Sequence, residues 1–577
     1  MAGGGFGAAS GGGDVEAKIM PPVIISFIMT ASGGLMIGYD VGISGGVTSM
    51  PHFLKELFPV VYKKTQDPGL ESNYCKYNNQ GLQLFTSSLY LAALISTFFA
   101  SYMTRALGRK LTMFVAGILS MAGTVFNAAA VNLAMLIIGR ILLGCGVGFA
   151  NRVVLLFHSE IAPTRIRGAL YTLFRLNNAI GILFANLINY RTNKITEGYG
   201  WRVSLGLAAI PACLLTVGSL IVADTPNSLI EPGKLEEGKA VLKRIRGVDN
   251  VDPEFLEIVE ASHVAKEMKH PFRNLLKRRN RPQLVIAIWM QIFQQFTGIN
   301  AIMFYAPVLF HTLGLKSDAS LYSVVITGAV NVLSTIVSIY FVDRAGRRVL
   351  LLEASFQMFQ CQLVVAIIMG HNLKDHSNNL DHGLAILVVF MVCSFVFSFG
   401  WSLGPLGWLI PSEMLPLEAH SACQSVAVCT NMLFTFIIAQ AFLSMLCNMK
   451  FGIFLFFTFW VFVMTTFVVV LIPETKGVPI EEMTERVLKQ HWFWERYFED
   501  NPKGKLHALN YLTSSYLDLK LRISSLIFER ALTKCSDALF SWIALFPMKI
   551  IPATSHAFYS FSISFINSVV KAVLNCM

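Results

Sequence analysis

The sequence predicts an all-α membrane protein in which twelve transmembrane helices form two halves of six. Hydrophobic residues make up 54% of the 577 residues and charged residues only 14%, whereas an ordinary soluble domain has roughly 25% charged residues. The mean hydropathy is +0.57. Twelve stretches approach the ~20 apolar residues that a helix needs to cross a bilayer. Short motifs also recur at matching positions in the two halves.

The apolar stretches divide the chain into five regions. The spans predicted for the first half are 21–45, 81–103, 111–131, 133–156, 168–190 and 201–223. Those of the second half are 284–311, 321–342, 349–370, 383–409, 420–446 and 451–473. The predicted regions are therefore an N-terminal tail (1–20), a first half (21–223), a polar central loop (224–283), a second half (284–473) and a C-terminal tail (474–577).

The formal net charge of +11 is compatible with nucleic-acid binding. The basic residues, however, lie in short loops between apolar runs, and Lys and Arg at such places hold loops on the cytoplasmic side. We therefore expect a lipid bilayer as the partner, no nucleic acid, and both termini in the cytoplasm. The oligomeric state is left open.

Two pairs of motifs show that the halves repeat. TRALGRK at 104–110 follows the second span, and DRAGRR at 343–348 follows the eighth. SEIAP at 159–163 closes the fourth span, and SEMLP at 412–416 closes the tenth. Repeats at matching places indicate duplication about an axis along the membrane normal.

Six further motifs, in order and at the expected span positions, carry a family resemblance. They are GYDVGISGG at 38–46, GR at 139–140, PTRIRG at 163–168, TPNSLIE at 225–231, QQFTGIN at 294–300 and PETKG at 473–477. With them the chain, from about residue 20 to 498, resembles the sugar-porter branch of the major facilitator superfamily, and more closely the plant sugar transport proteins.

The resemblance implies the major facilitator fold and proton-coupled import of a monosaccharide, a hexose, by alternating access, with the plasma membrane as the expected location. An alternative is a homologue that transports weakly or not at all and acts as a sensor or regulatory partner. No nucleophile, base and acid set and no Cys/His metal spacing stands out. We therefore expect no enzymatic activity, no cofactor and no metal.

Two of the charged residues inside predicted spans form a candidate pair. Asp40 is in the first and Arg140 in the fourth, and an isolated charge there costs about 2.5–3.5 kcal/mol on insertion scales. Pairing reduces this cost, so we expect Asp40 to pair with Arg140 and to act as the proton acceptor, a role that the resemblance also implies. The alternative is a static ion pair that holds helices together.

Amide side chains in the seventh span predict the sugar site. Gln294, Gln295 and Asn300 do not share one helical stripe, which predicts a break near Gly298. Amides suit sugars because each offers a donor and an acceptor to hydroxyl groups. The resemblance adds a further set of sugar contacts: Asn331, Trp408 and Asn431. The alternative for such amides is a hydrogen bond between helices.

The resemblance also implies a disulfide between Cys75 and Cys447, which the predicted topology places on the oxidising outer side. Two free cysteines are the alternative. At the opposite end, charged residues of the repeated motifs are expected to form a cytoplasmic latch between the halves. Its predicted members are Arg105, Arg109, Glu160, Arg165, Arg344, Arg347 and Glu413.

The chain departs from the family pattern at several functional positions, two of which carry an arginine. Arg152 and Arg175 each stand where these symporters carry a glutamine. A permanent cation in a cavity for a neutral sugar adds volume and charge, so hexose uptake is expected to be weak, altered or absent. The tail from about residue 501 has no counterpart in the family.

Overall fold

The computed structural model describes most of the chain between residues 21 and 498. The described residues are 21–66, 73–161, 167–195, 198–247, 250–267, 275–312, 317–372, 382–414, 420–476, 478 and 483–498. The predicted N-terminal tail (1–20) and the atypical extension from about 501 lie outside this set.

The regular secondary structure of the described residues is helical. The first half contains α1 (Pro21–Val47), α2 (Pro51–Leu57), α3 (Pro59–Gln66), α4 (Gln80–Leu107), α5 (Arg109–Ala128), α6 (Leu133–Ile161), α7 (Arg167–Thr192), α8 (Gly200–Gly206) and α9 (Ala209–Ile221). The central loop contains α10 (Pro226–Ile230), α11 (Leu235–Arg246) and α12 (Asp252–Glu267). The second half contains α13 (Arg281–Phe296), α14 (Ile299–Thr312), α15 (Ser317–Ala345), α16 (Arg347–Asn372), α17 (His382–Trp401), α18 (Leu403–Met414), α19 (His420–Met449) and α20 (Gly452–Leu471).

These helices lie where the spans were predicted. Within the described residues, 10 helical segments are long and apolar enough to cross a membrane. The other two predicted spans coincide with α1 and α7, which have 27 and 26 residues. Large apolar side chains such as Phe98, Phe99 and Tyr102 point outward from α4. An apolar outer face is what lipid requires of a spanning helix.

Three of the spans are broken into two helices. The predicted break near Gly298 is confirmed, because α13 ends at Phe296 and α14 begins at Ile299. Gly298 has a φ of 84°, a left-handed conformation that glycine adopts without a steric penalty. Breaks at Leu207 between α8 and α9 and at Ser402 between α17 and α18 were not predicted.

The repeated motifs form the same turn in both halves. Gly108 precedes α5 and Gly346 precedes α16, with φ values of 87° and 93°. The carboxylate of Asp224 accepts from the backbone N of Lys110 at 3.4 Å, and that of Glu474 from the N of Arg347 at 2.9 Å. A carboxylate at a helix N-terminus satisfies backbone donors that have no partner within the helix.

Among the described residues, the two halves pack most extensively against each other along three helix pairs. These are α1 with α14, α4 with α19 and α7 with α15. Helices α2 and α3, with the turn at 73–77, connect α1 to α4 on the side of the bundle opposite the repeated turns. We call this segment the α2–α3 connector, and the end that carries the repeated turns the basic end.

Candidate functional site

Asp40 and Arg140 are both buried between α1 and α6, with 2% and 1% of their surface exposed. Arg140 Nη2 donates to Ser44 Oγ at 2.9 Å, and Ser44 Oγ donates to the backbone oxygen of Asp40 at 2.7 Å. The guanidinium carbon lies 3.9 Å from the centre of the Phe85 ring. Arg140 therefore contacts a hydroxyl group and an aromatic face.

The predicted ion pair between Asp40 and Arg140 is not formed in this conformation. The two groups are near enough to interact electrostatically, yet among the described residues the guanidinium donates to Ser44 rather than to the carboxylate. Asp40 Oδ2 is buried with no hydrogen-bond partner among those residues. Sequence alone could not show this, because it does not reveal that Ser44 and Phe85 are the groups in contact with the guanidinium.

The amides of the seventh span lie in a cluster with α19. Asn431 Nδ2 donates to Gln291 Oε1 at 2.8 Å and to Gln294 Oε1 at 2.9 Å. Gln291 Nε2 donates to the backbone oxygen of Gly407 on α18 at 2.7 Å. The structure thus brings two of the predicted residues together and adds Gln291, which the sequence analysis missed. The available signal was its spacing of three residues before Gln294, which puts both on one helical face.

A second amide pair lies at the helix break. Asn300 Nδ2 donates to Gln295 Oε1 at 2.5 Å and to Thr435 Oγ1 at 3.5 Å. Thr435 in turn donates to the backbone oxygen of Asn431 at 2.8 Å. The break at Gly298 therefore allows Asn300 to reach the same helix, α19, as the first cluster.

Trp408 on α18 follows Gly407, whose carbonyl oxygen belongs to the amide cluster. Its indole Nε1 is buried and, among the described residues, has no acceptor. A buried donor without an acceptor is costly, and a bound polar ligand can supply the acceptor. Asn331, the remaining predicted contact, is half-buried on α15 and faces Gly400, where an added Cβ would lie 3.1 Å from its Oδ1.

The two atypical arginines face the second half. The Arg175 guanidinium lies 5.2 Å from the centre of the Trp408 ring, within cation–π range. Arg152 is 8% exposed on α6 and interacts electrostatically with Cys429 on α19. Each of them thus comes from a helix of the first half and lies near the half that holds the amide cluster.

The α2–α3 connector is attached to both halves. A disulfide joins Cys75 to Cys447 at the end of α19, with 4.5 Å between their Cα atoms. On the other side, Glu56 forms an ion pair with Arg202 and accepts from Trp201 Nε1 at 3.3 Å. Movement of the connector is therefore limited by contacts in each half.

At the basic end of the first half, Arg109 binds two carboxylates. Its Nη2 lies 2.8 Å from Glu160 Oε1, and its Nη1 lies 2.7 Å from Glu231 Oε2. Thr225 Oγ1 donates to the other oxygen of Glu160 at 2.5 Å. The arrangement neutralises one buried guanidinium with two carboxylates, one at the end of α6 and one after α10.

The second half repeats this arrangement in a smaller form. Arg347 Nη2 lies 3.0 Å from Glu413 Oε1, and Thr475 Oγ1 donates to Glu413 Oε2 at 2.7 Å. Arg347 contacts Glu413 within the second half, and Arg109 contacts the first half and the central loop, so these described contacts do not join the two halves. Arg165 and the side chains of Arg105 and Arg344, the other predicted members of the latch, lie outside the described set. A bond between the halves at this end stays a prediction.

Within the described parts of the chain, no cluster of three or more His, Cys, Asp or Glu side chains is placed to hold a metal ion. The described amides of the second half form one group on α13, α14 and α19, whereas Asp40 and Arg140 lie on α1 and α6 and Arg175 lies on α7.

Comparison with known proteins gives consistent matches. Residues 26–487 match the family described as "Sugar (and other) transporter". The chain is 70% identical over 500 residues to Sugar transport protein MST4 of Oryza sativa subsp. japonica, covering 87% of this chain and 97% of that protein. It is 69% identical over 502 residues to Sugar transport protein 13 of Arabidopsis thaliana, covering 87% and 95%.

Solved structures show the same fold. The proton:xylose symporter XylE bound to 6-bromo-6-deoxy-D-glucose, a major facilitator superfamily protein, aligns with a TM-score of 0.67 at 23% identity, covering 80% of this chain and 98% of that one. The partially occluded inward open form of XylE from E. coli aligns with a TM-score of 0.66 at 23% identity, covering 80% and 100%. At this identity the likeness concerns the fold.

Proposed function

The chain belongs to the sugar transporter family, a family of membrane transporters rather than enzymes, and we propose that it imports a hexose together with a proton by alternating access. It is a multi-pass membrane protein of the sugar-porter branch of the major facilitator superfamily. The relatives are named as sugar transport proteins, and the structural neighbour is named as a proton:xylose symporter. These names support the proposal.

The single observation that carries the proton step is the buried carboxyl of Asp40 beside Arg140. An ionised carboxylate without a hydrogen bond is costly in such surroundings, so the conformation described here suits protonated Asp40. Loss of the proton creates an anion, and Arg140 is the nearby cation that can stabilise it. Pairing in one protonation state and separation in the other gives α1 two arrangements.

The sugar step rests on the amide cluster. Gln291, Gln294 and Asn431 provide donors and acceptors, and Trp408 adds a flat apolar face and a buried donor without an acceptor. Sugar hydroxyls can take part in such a network, and a pyranose ring has an apolar face that packs on an indole. Gln295, Asn300 and Asn331 complete the proposed sugar contacts.

The orientation follows from the loop charges. We place the basic end in the cytoplasm, together with both termini, and the disulfide of the α2–α3 connector outside. The plasma membrane is the proposed location. The charged groups of the basic end form the proposed latch, which closes the inner side while the outer side is open.

Reconstitution into liposomes tests this proposal. The chain should accumulate labelled glucose against its gradient when the outside is acidic, and Asp40→Asn should lose accumulation while it keeps exchange of labelled for unlabelled sugar. Retained exchange serves as the control for folding and sugar binding. Undiminished uphill accumulation by Asp40→Asn would contradict the role of this carboxyl. A panel of hexoses and pentoses identifies the substrate.

A second candidate function, a sensor or regulatory partner with weak or absent transport, is favoured by one observation. The Arg175 guanidinium lies 5.2 Å from the centre of the Trp408 ring. Trp408 is one of the residues proposed to bind the sugar. In yeast that lacks hexose carriers, Arg175→Gln should then take up more glucose than the unaltered chain, and Arg191→Gln, at an exposed position of the same helix, should not. Equal and robust uptake by all three proteins would remove this candidate.

A further inference from the structure

Phe85 on α4 has two different neighbours on its ring. The Arg140 guanidinium lies 3.9 Å from the ring centre, and Phe53 of the α2–α3 connector lies 5.3 Å away, centre to centre. Phe53 also packs against Phe58 at 5.5 Å and Trp201 at 5.4 Å. All four aromatic side chains are buried. The connector is thereby packed against the ring on which Arg140 rests.

Three possible partners lie close to the Arg140 side chain. A carboxylate, a hydroxyl group and an aromatic face all lie near its guanidinium, and the structure shows it on Ser44 and Phe85. The face of an aromatic ring attracts a cation, and the attraction grows when water is excluded. An attractive ring face thus competes with the Asp40 carboxylate for the same guanidinium.

We propose that Phe85 is a positioning residue for the proton step: its ring face holds Arg140 away from Asp40 and so raises the pH at which Asp40 takes up its proton. This inference rests on the proposed function of Asp40. Without the ring, Arg140 is free to approach Asp40, where it favours the ionised carboxylate. The proton then binds only at a more acidic pH.

Among the described residues, the other titratable groups that interact with the pair are Tyr39 on α1 and Tyr90 on α4. Tyr305 on α14 interacts with Tyr90, and Tyr39 and Tyr305 donate to the backbone oxygens of Ser204 at 2.7 Å and Ala439 at 2.8 Å. Phenols stay uncharged through the pH range of transport. Changes in this range are therefore assigned to Asp40.

The connector sets the position of the ring. Its Phe53 packs on Phe85, its Glu56 contacts Trp201 and Arg202, and its Cys75 is bonded to Cys447 of the second half. A displacement of the connector therefore moves Phe53 and alters the packing of Phe85. This gives the outer side of the molecule a route to the proton site.

The test replaces Phe85 with 3,4,5-trifluorophenylalanine, which keeps the ring shape and weakens its attraction for a cation. In oocytes that express the full chain, sugar-induced proton current is measured against external pH. The pH of half-maximal current should shift about 0.5–1 pH unit toward acid. The same replacement at Phe395, which is equally buried but lies in the second half, should cause no shift.

A second measurement does not depend on turnover. The infrared band of the protonated carboxyl, assigned by its loss in Asp40→Asn, is titrated in the purified protein. Its midpoint should move toward acid in Phe85→Leu and return in Phe85→Tyr, which restores a ring. An unchanged midpoint in both measurements, or an equal shift with the Phe395 replacement, would overturn the proposal.

A different result would contradict the proposed function. If Asp40→Asn keeps its proton-coupled current, the carboxyl is not the coupling group, and the role of Phe85 falls with it. If Asp40→Asn loses coupling while the Phe85 replacements leave both midpoints in place, only the inference about Phe85 is wrong.

Discussion

The two halves resemble each other at the basic end and differ in the polar side chains of their interior. At the basic end each half has a glycine turn, an arginine, a glutamate and a threonine in the same arrangement. Inside the membrane, the first half presents the charges Asp40 and Arg140, whereas the second presents the neutral amides of α13, α14 and α19.

This difference indicates a division of tasks between duplicated units. A proton site needs a group that can change its charge, and a sugar site needs donors and acceptors that do not. Under the proposed function, a change of charge at α1 would leave the hydrogen bonds of the amide cluster unaltered, because the two sites lie on different halves. In the proposed alternating access, rocking of one half against the other would link the two events.

The largest expected effect concerns the shared basic end. In the first half the arginine and Glu160 are 2% and 1% exposed, while Arg347 and Glu413 are 11% and 18% exposed. Arg109→Ala leaves two carboxylates without their cation and should lower the free energy of unfolding by about 3–5 kcal/mol. Arg347→Ala should lower it by about 1–3 kcal/mol. Thermal unfolding of the detergent-solubilised proteins measures both.

The exposed Arg191 of α7 supplies the control for this pair of variants. Arg191→Ala should leave the midpoint of thermal unfolding within experimental error of the unaltered protein. If Arg347→Ala destabilises the protein as much as Arg109→Ala, or more, then burial does not determine how much each arginine contributes to stability.

A smaller effect is expected when the amide cluster is disturbed. Gln294→Leu removes one of the two acceptors of Asn431 and should raise KM for the transported sugar about fivefold to 150-fold, as the loss of ~1–3 kcal/mol requires. The external pH at half-maximal uptake should stay unchanged, because the proton group lies on the other half. Initial uptake rates over sugar concentration and pH measure both quantities.

The control for this variant is Gln283→Leu, a buried glutamine about 16 Å earlier along the same helix. Its KM for sugar should equal that of the unaltered chain. A shift of the pH midpoint in Gln294→Leu would show that the halves do not divide the two tasks as proposed.

Much of this architecture could be predicted from the sequence, because span length, loop charge and repeated motifs are local patterns. The break near Gly298 is an example. On one continuous helix Gln294 and Asn300 would point in different directions, and a break allows both to face the same neighbouring helix. Gln291 was overlooked because one amide in a long apolar run does not by itself indicate a ligand.

The partners of Arg140 could not be predicted from sequence. They depend on which of three groups, from α1 and α4, lies closest once the helices have packed, and sequence separation does not give that distance. The connection of Cys75 to Cys447, at a sequence separation of 372, likewise came from the family resemblance and not from spacing. Contacts between residues far apart in sequence depend on how the helices pack, and local sequence patterns do not determine that packing.

The smallest expected effect concerns His491, which lies near Arg348 at the basic end. Residues 483–498 pack there, and Trp494 Nε1 donates to the backbone oxygen of Leu471 at 2.8 Å. Burial, and then the neighbouring cation of Arg348, lowers the pKa of His491 to about 4. The unfolded chain has a histidine of ordinary pKa near 6.5. Between these two values the unfolded state binds a proton that the folded state does not.

Stability is therefore expected to fall as the pH drops from about 6.5 toward 4 and to be complete above 6.5. His491→Gln, which cannot gain a proton, should remove about 1–3 kcal/mol of that pH dependence. Unfolding midpoints of the two proteins across this range measure the difference, and His371→Gln, at an exposed histidine at the end of α16, should follow the unaltered chain. Parallel pH profiles for His491→Gln and the unaltered chain would mean that residues 483–498 separate from the second half before it unfolds, so that their burial does not contribute to its stability.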